Sequence, residues 1–147
     1  MSEADIGKAA RHFKSADGWD IWVGRTAADN DILSLRLADP ADGWMHVAGQ
    51  SGSHVIIRPP AAEAAAAAAA RPPRETLLDA AHLAIYYSKA RAASRAAVHW
   101  TRAGQVGKAR GAPPGEVTLG RFEWMAIRMD KARLARLVGS GTAPLPR

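Results

Sequence analysis

Short runs of apolar residues, separated by glycine and proline turns, are the main pattern along the chain. The first run, 19–23, follows the turn pair Asp17-Gly18 and an extended piece around Phe13. An Asp-Gly pair between two such runs is typical of a β-hairpin. Later runs with alternating or β-branched apolar positions predict further strands at 44–47, 54–58, 97–101, 116–119 and 122–129.

Three stretches carry the spacing of amphipathic helices. Thr26 is placed to cap a short helix that reaches Leu37, and Pro72-Pro73 precede a long helix that reaches about Ala92. Another short helix is predicted over 130–138. Because strands outnumber helices and follow one another in pairs, we expect an α+β fold: a mostly antiparallel sheet with one long and two short helices in a single domain.

An alanine-rich segment lies between two proline pairs, over residues 59–73. Alanine favours helix, but so short a helix is marginal in water, so we expect a poorly ordered insertion or a frayed turn. The segment does not separate the chain into two domains. We therefore expect an N-terminal arm (1–11), one domain that contains the insertion (12–129), and a C-terminal helix with a loose tail (130–147).

Composition narrows the class of protein. A chain of 147 residues with 48% hydrophobic and 23% charged residues is the size and type of one globular domain. There is no cysteine, which excludes disulfides, thiolate metal sites and cysteine nucleophiles. No apolar run approaches the roughly 20 residues of a membrane helix, and the N-terminus has no apolar signal core. We expect a cytoplasmic protein that does not bind membranes.

The positive charge is concentrated in one part of the chain. The net charge is +6, yet residues 80–115 contain six cations and no carboxylate, while the first 79 residues have an excess of acidic side chains. Such a segment predicts a surface for polyanions, with affinity that falls steeply with salt. The cations are Lys89, Arg91, Arg95, Arg102, Lys108 and Arg110.

Motifs for catalysis or cofactors are weak. The stretch 104–108 lacks the Ser or Thr and the helix of a phosphate-binding P-loop. The histidines have no zinc-motif spacing, and no serine lies in a nucleophile elbow. We expect no metal, no cofactor and no enzyme activity. An acid/base set of Asp42, His46 and His54 is the alternative to a binding protein.

The order and spacing of several motifs between residues 12 and 120 resemble the NFACT RNA-binding domain. The matching positions are Asp17, Gly18, Gly24, Arg25, Asn30, Asp31, Asp42, Trp44, His46, Gly52, Ser53, His54, Ser88, Lys89, Pro114 and Gly115. This domain occurs as a small stand-alone protein. It is also the C-terminal RNA-binding module of ribosome quality-control factors that add tails to stalled nascent chains.

The resemblance implies an RNA-binding protein that contacts rRNA or tRNA, with the ribosome or its large subunit as a partner. Tailing activity is not expected, since the chain has no room for the factors' other domains. The six cations are candidate phosphate contacts, and Asn30, Ser53 and His54 are candidate polar contacts. Trp44, Tyr86 and Trp100 are candidates for stacking on a base. DNA binding and a protein-interaction adaptor stay open as alternatives.

Overall fold

A six-stranded antiparallel sheet is the centre of the fold in the computed structural model, which describes residues 3–140. The sheet has the strand order β1-β2-β4-β3-β5-β8, and β6 and β7 form a separate two-stranded ribbon. The strands are β1 Ala10–Lys14, β2 Asp20–Gly24, β3 Gly43–Val47, β4 Val55–Arg58, β5 Arg95–Arg102, β6 Val106–Gly107, β7 Thr118–Leu119 and β8 Glu123–Arg128. Every predicted strand is present, although β7 and β8 are shorter than expected.

The predicted α+β class is confirmed, with two helices more than the sequence indicated. The helices are α1 Glu3–Ala9, α2 Ala27–Ile32, α3 Ala64–Ala69, α4 Arg74–Tyr86 and α5 Lys131–Ser140. Thr26 caps α2 as predicted, because its hydroxyl accepts a hydrogen bond from the Asp29 N–H. A π-helical turn, Leu33–Leu37, extends α2. No helix within residues 3–140 is long and apolar enough to span a membrane.

The sheet is covered on both faces, which explains its apolar strands. In β2, Ile21 and Val23 belong to one buried cluster with α4, while Trp22 between them belongs to a second cluster on the opposite face. Alternation of side chains along a strand produces this division. The second cluster includes Ile6 of α1 and Leu33 of the π-helical turn. Part of the segment predicted as an arm is therefore packed against the sheet.

Helix α4 ends earlier than predicted. Its last residue is Tyr86, because Ser88 forms a local turn: its hydroxyl donates to the Ile85 carbonyl at 2.6 Å and accepts from the Ala90 N–H at 3.0 Å. Such a hydroxyl competes with the helical hydrogen bonds. Gly52 pairs with Ser88 in an isolated β-bridge, which draws the chain beside the β3–β4 loop. Lys89 and Arg91 thus lie in a loop rather than at a helix terminus.

The alanine-rich segment differs from the expected poorly ordered insertion. It forms a 3-10 turn, Ala61–Glu63, followed by α3. The Arg102 guanidinium donates to the Ala67 and Ala70 carbonyls, which lie in the last turn of α3 and just beyond it. A cation at a helix C-terminus satisfies carbonyls that the helix itself leaves unpaired. Buried Ala67 adds an apolar contact to the core.

Helix α5 is held to α4 by a buried carboxylate. Asp79 is fully buried and accepts hydrogen bonds from Arg133 at 2.7 Å and Arg136 at 2.6 Å. Its second oxygen accepts from the Ala16 N–H at the hairpin turn. The His82 ring also accepts from the Asp130 N–H, just before α5. The predicted loose tail lies outside the described residues from position 141 onward.

Candidate nucleic-acid interface

Four cations from three segments of the chain surround one cleft of about 740 Å³. Arg11 comes from β1, Arg25 follows β2, and Lys89 and Arg91 lie in the loop after α4. The cleft is open to solvent and is bordered by Tyr87 and by the loop 51–53. We call this site the basic cleft. The sequence predicted Lys89 and Arg91 in the basic surface but missed Arg11 and Arg25, which belong to the acidic half of the chain.

Two tyrosines position two of these cations. The Arg11 Cζ lies 4.9 Å from the centre of the Tyr87 ring, and the Arg91 Cζ lies 5.3 Å from the centre of the Tyr86 ring. The two rings meet edge to face with centres 5.1 Å apart. A guanidinium over an aromatic face is held by the ring quadrupole without losing its charge. The charges therefore stay available for an anion.

The electrostatic character of the basic cleft is uniform. Among the described residues that line it, none is Asp or Glu, and no described carboxylate forms a salt bridge with Arg25, Lys89 or Arg91. These three side chains are exposed. Like charges placed together without a counter-charge raise the local concentration of anions. Phosphate groups have the charge and the oxygen acceptors that this arrangement requires.

Two of the predicted phosphate contacts instead have structural partners. Arg102 donates to the Ala41 carbonyl and to the end of α3, as described above. The Lys108 Nζ donates to the Pro113 and Glu116 carbonyls at 2.6 and 2.8 Å and lies 2.9 Å from an Asp31 carboxylate oxygen. Both cations hold loops in place. Arg95 and Arg110 are exposed but lie outside the basic cleft.

The predicted polar contacts are also engaged internally. The Asn30 amide oxygen accepts from the His54 N–H at 3.0 Å, and the Ser53 hydroxyl donates to the Gly24 carbonyl at 2.8 Å. Asn30 and His54 are buried. A Cβ at Gly24 would overlap the Asn30 amide oxygen, so glycine is needed for this close approach. These side chains shape the loops that border the two clefts, Asn30 and His54 at the one and Ser53 at the other.

The buried His54 ring lies in a chain of hydrogen bonds. In the neutral ring, Nε2 donates to the Gly115 carbonyl at 3.0 Å and Nδ1 accepts from the Ser34 hydroxyl at 2.7 Å. The Ser34 oxygen in turn accepts from the Trp44 indole N–H at 2.8 Å. Burial, reinforced by the nearby His46, lowers the pKa of His54 to about 4.

A second cleft, of about 800 Å³, lies over the sheet face on the other side of the loop 51–52. His46, His54 and His99 line it, together with loop residues 49–52 and 113–117. We call it the histidine cleft. His46 lies directly opposite His99 in the β3–β5 pairing. Burial lowers the pKa of both His46 and His99, so these rings are neutral at pH 7.

The alternative acid/base set does not converge. His46 and His54 are neighbours, with ring centres 5.6 Å apart. Asp42 precedes the opposite end of β3, and four residues of extended chain place it about 13 Å from His46. Its carboxylate is occupied by Arg58 at 2.8 Å and by the Asp39 N–H. The catalytic hypothesis built on these three residues is therefore wrong.

Two of the three side chains predicted to stack on a base cannot do so. Trp44 and Trp100 are buried, so neither ring face is open to a base. Among the described residues, Phe122 and Trp124 are exposed, and the sequence predicted a strand there but no role for the two rings. Met125 and Ile127 alternate with them toward the core, and that alternation was the available signal.

Comparison with known proteins agrees with this geometry. The sequence profile described as the NFACT protein RNA binding domain matches residues 9–121. The chain belongs to this family. The resemblance inferred from the motifs is thus confirmed.

Relatives of this NFACT RNA binding domain are much longer proteins. The Rqc2 homolog RqcH of Bacillus subtilis is 36% identical over 125 residues, which is 85% of this chain and 20% of that protein. The ribosome quality control complex subunit NEMF homolog of Drosophila melanogaster is 34% identical over 105 residues, or 71% of this chain and 10% of that protein. The chain therefore spans about a fifth or less of these relatives.

A solved structure shares the fold. The C-terminal part of the fibronectin/fibrinogen-binding protein from Streptococcus suis matches with a TM-score of 0.75 and 28% sequence identity. The match covers 87% of this chain and 48% of that chain. The arrangement of the sheet and its helices is therefore common to a longer relative.

Several family motif residues shape or line the two clefts, and others hold turns elsewhere in the sheet. Gly115, with a φ of +84°, presents its carbonyl to His54, whereas Gly18, with a φ of +81°, turns the first hairpin away from the clefts. Asp31 accepts from the Gly115 N–H at 3.1 Å. These contacts bring the loop 113–117 to the edge of the histidine cleft. Of the motif positions, Arg25 and Lys89 provide cations to the basic cleft.

Proposed function

We propose that this chain binds RNA by holding the sugar-phosphate backbone in the basic cleft. The convergence of Arg11, Arg25, Lys89 and Arg91 around one concave site without a carboxylate carries the proposal. Membership of a family described as an RNA binding domain supports it. Phosphate contacts of this kind provide affinity without reading sequence.

We propose rRNA or tRNA as the target, on a ribosome or its large subunit. The Drosophila relative is by its name a subunit of a ribosome quality control complex, and it aligns with 71% of this chain. RNA binding accounts for the four cations of the basic cleft, and we propose no catalytic step and no tailing activity. Sedimentation of the protein with ribosomal subunits on a gradient tests this target.

A salt series of RNA affinity tests the basic cleft. We expect the triple variant Arg25→Gln, Lys89→Gln and Arg91→Gln to bind RNA at least tenfold more weakly, with the slope of log affinity against log salt reduced by about 2. Arg11 is kept because it packs against Tyr87. The matched control Arg36→Gln, Arg74→Gln and Arg128→Gln removes the same charge from exposed positions outside the cleft.

Equal losses in both triple variants would contradict the assignment to the cleft, since net charge alone would then explain binding. Tighter binding to duplex DNA than to RNA would contradict the choice of polymer. The adaptor hypothesis has less support, because Lys89, Arg91, Arg95 and Arg110 are exposed rather than paired with the acidic half.

A further inference from the structure

Two exposed aromatic rings at the sheet edge contact His99, which lines the histidine cleft. Trp124 is 64% exposed and Phe122 is 38% exposed, in or beside the edge strand β8. Trp124 lies opposite His99, and its ring meets the imidazole edge to face with centres 4.2 Å apart. The Phe122 and Trp124 rings are neighbours, with centres 6.4 Å apart, and a contiguous exposed aromatic patch of this kind is typical of a binding surface.

The three rings His46, His99 and Trp124 form one row across neighbouring strands. Strand pairing places His46 opposite His99 and His99 opposite Trp124. With neighbouring strands about 4.8 Å apart, the row covers about 10 Å. The row therefore consists of flat aromatic rings, which suit a flat heterocycle better than an aliphatic chain.

The row lies next to the basic cleft. Ser51 and Gly52 line both clefts, so this loop is the wall between them. A polymer with phosphates in the basic cleft has its neighbouring units within reach of the histidine cleft. Single-stranded RNA is such a polymer, because its unpaired bases can turn away from the backbone and stack on aromatic side chains.

We propose that the histidine cleft and Trp124 form a binding site for an unpaired nucleobase, with the base stacked on the Trp124 indole. The proposal rests on the proposed function, because the basic cleft holds the adjoining backbone. It assigns to the NFACT RNA binding domain a preference for single-stranded or looped RNA. A paired base inside a duplex cannot present its face to the indole.

The test compares two ligands of equal length: a single-stranded RNA oligonucleotide and an abasic ribose-phosphate chain. We expect wild type to prefer the RNA. Trp124→Ala should lower the RNA affinity about 5- to 150-fold, the equivalent of roughly 1–3 kcal/mol of stacking free energy, and should leave the abasic affinity unchanged. Trp124→Phe should retain most of the preference, and Leu35→Ala, at another exposed apolar position, should retain all of it.

The outcomes separate the two proposals. Equal affinity of wild type for RNA and abasic chain would overturn the base site and leave backbone binding intact. Loss of affinity for both ligands in Trp124→Ala would assign the residue a structural role and would also overturn the base site. Failure of wild type to bind either ligand would overturn the proposed function itself. Circular dichroism of each variant checks that the exposed substitution leaves the fold unchanged.

Discussion

The Arg11 guanidinium lies over the Tyr87 ring at 4.9 Å and joins the first strand to the loop after α4. Residues 76 positions apart in the sequence thereby share one cleft. The contact places a cation from the acidic half of the chain beside Lys89 and Arg91. It is the reason that the basic surface is not confined to residues 80–115.

Removal of the Tyr87 hydroxyl should not weaken the protein. The residue is 8% exposed, and its hydroxyl has no hydrogen-bond partner among the described residues. A buried polar atom without a partner costs free energy, so Tyr87→Phe should leave the free energy of unfolding unchanged or raise it by up to about 1 kcal/mol. Urea denaturation measures the difference. Destabilisation by more than about 1 kcal/mol would show that the hydroxyl has a partner in solution.

Replacement of the ring itself should affect both stability and RNA binding. Tyr87→Leu removes the aromatic face under Arg11, and loss of a cation–π contact costs about 0.5–2 kcal/mol. We expect a lower urea midpoint and a several-fold loss of RNA affinity, with Tyr87→Phe as the matched control. RNA affinity equal to that of wild type would mean that the ring does not position Arg11.

The buried Asp79 should be a major source of stability. Asp79→Ala leaves the Ala16 N–H without its acceptor and leaves Arg133 with Glu75 as its remaining carboxylate partner, and we expect a loss of about 2–3 kcal/mol. Arg136→Gln should cost less than about 1 kcal/mol, because this partner is 44% exposed. Urea denaturation of both variants measures the contrast. Equal costs would argue against Asp79 as the shared anchor of α5.

Stability should fall as the pH drops below 6.5. His54 has a pKa of about 4 in the folded protein, below the 6.5 of an unfolded histidine. Between these values the unfolded state binds a proton that the folded state does not, so acidification favours unfolding. The full contribution is present above pH 6.5 and is lost as the pH falls to about 4. Its size is about 3 kcal/mol, and the lowered pKa values of His46 and His99 act in the same direction.

Urea midpoints between pH 5 and 7 test this expectation, since most carboxylates stay ionised there. His54→Gln should reduce the slope of stability against pH, whatever its effect on stability at pH 7. An unchanged slope in that variant would contradict a neutral, buried His54.

Lys108 should stabilise the structure of its loop and contribute little to the affinity for RNA. Its ammonium group holds the Pro113 and Glu116 carbonyls and pairs with Asp31. Lys108→Met should therefore increase amide exchange in residues 108–116 and change the salt slope of RNA binding by less than about 0.5. A reduction of the salt slope by about 1 would show that Lys108 contacts a phosphate.

The sequence predicted the strands well because apolar runs and the turns between them are local signals. The run 19–23 predicted a strand and Asp17-Gly18 its hairpin, but that both faces of the strand are covered is visible only in the structure. The end of α4 was missed because it depends on contacts of Ser88 with Ile85 and Gly52. The helical state of the alanine segment depends on Arg102, which is distant in sequence.

The candidate site was predicted in part. Lys89 and Arg91 are exposed as expected, but the fates of Arg102 and Lys108 depend on carbonyls that only the folded loops bring near. Charge counting along the chain cannot distinguish a cation that holds a loop from one that faces solvent. For the same reason it could not place Arg11 and Arg25 beside them.

The most direct measurement is a titration of the isotope-labelled protein with RNA, followed by the amide chemical shifts in NMR spectra. We expect the largest shifts at Arg11, Arg25, residues 51–53 and residues 87–91, which surround the basic cleft. Shifts confined to α5 or to residues 102–111, with the cleft unaffected, would contradict it.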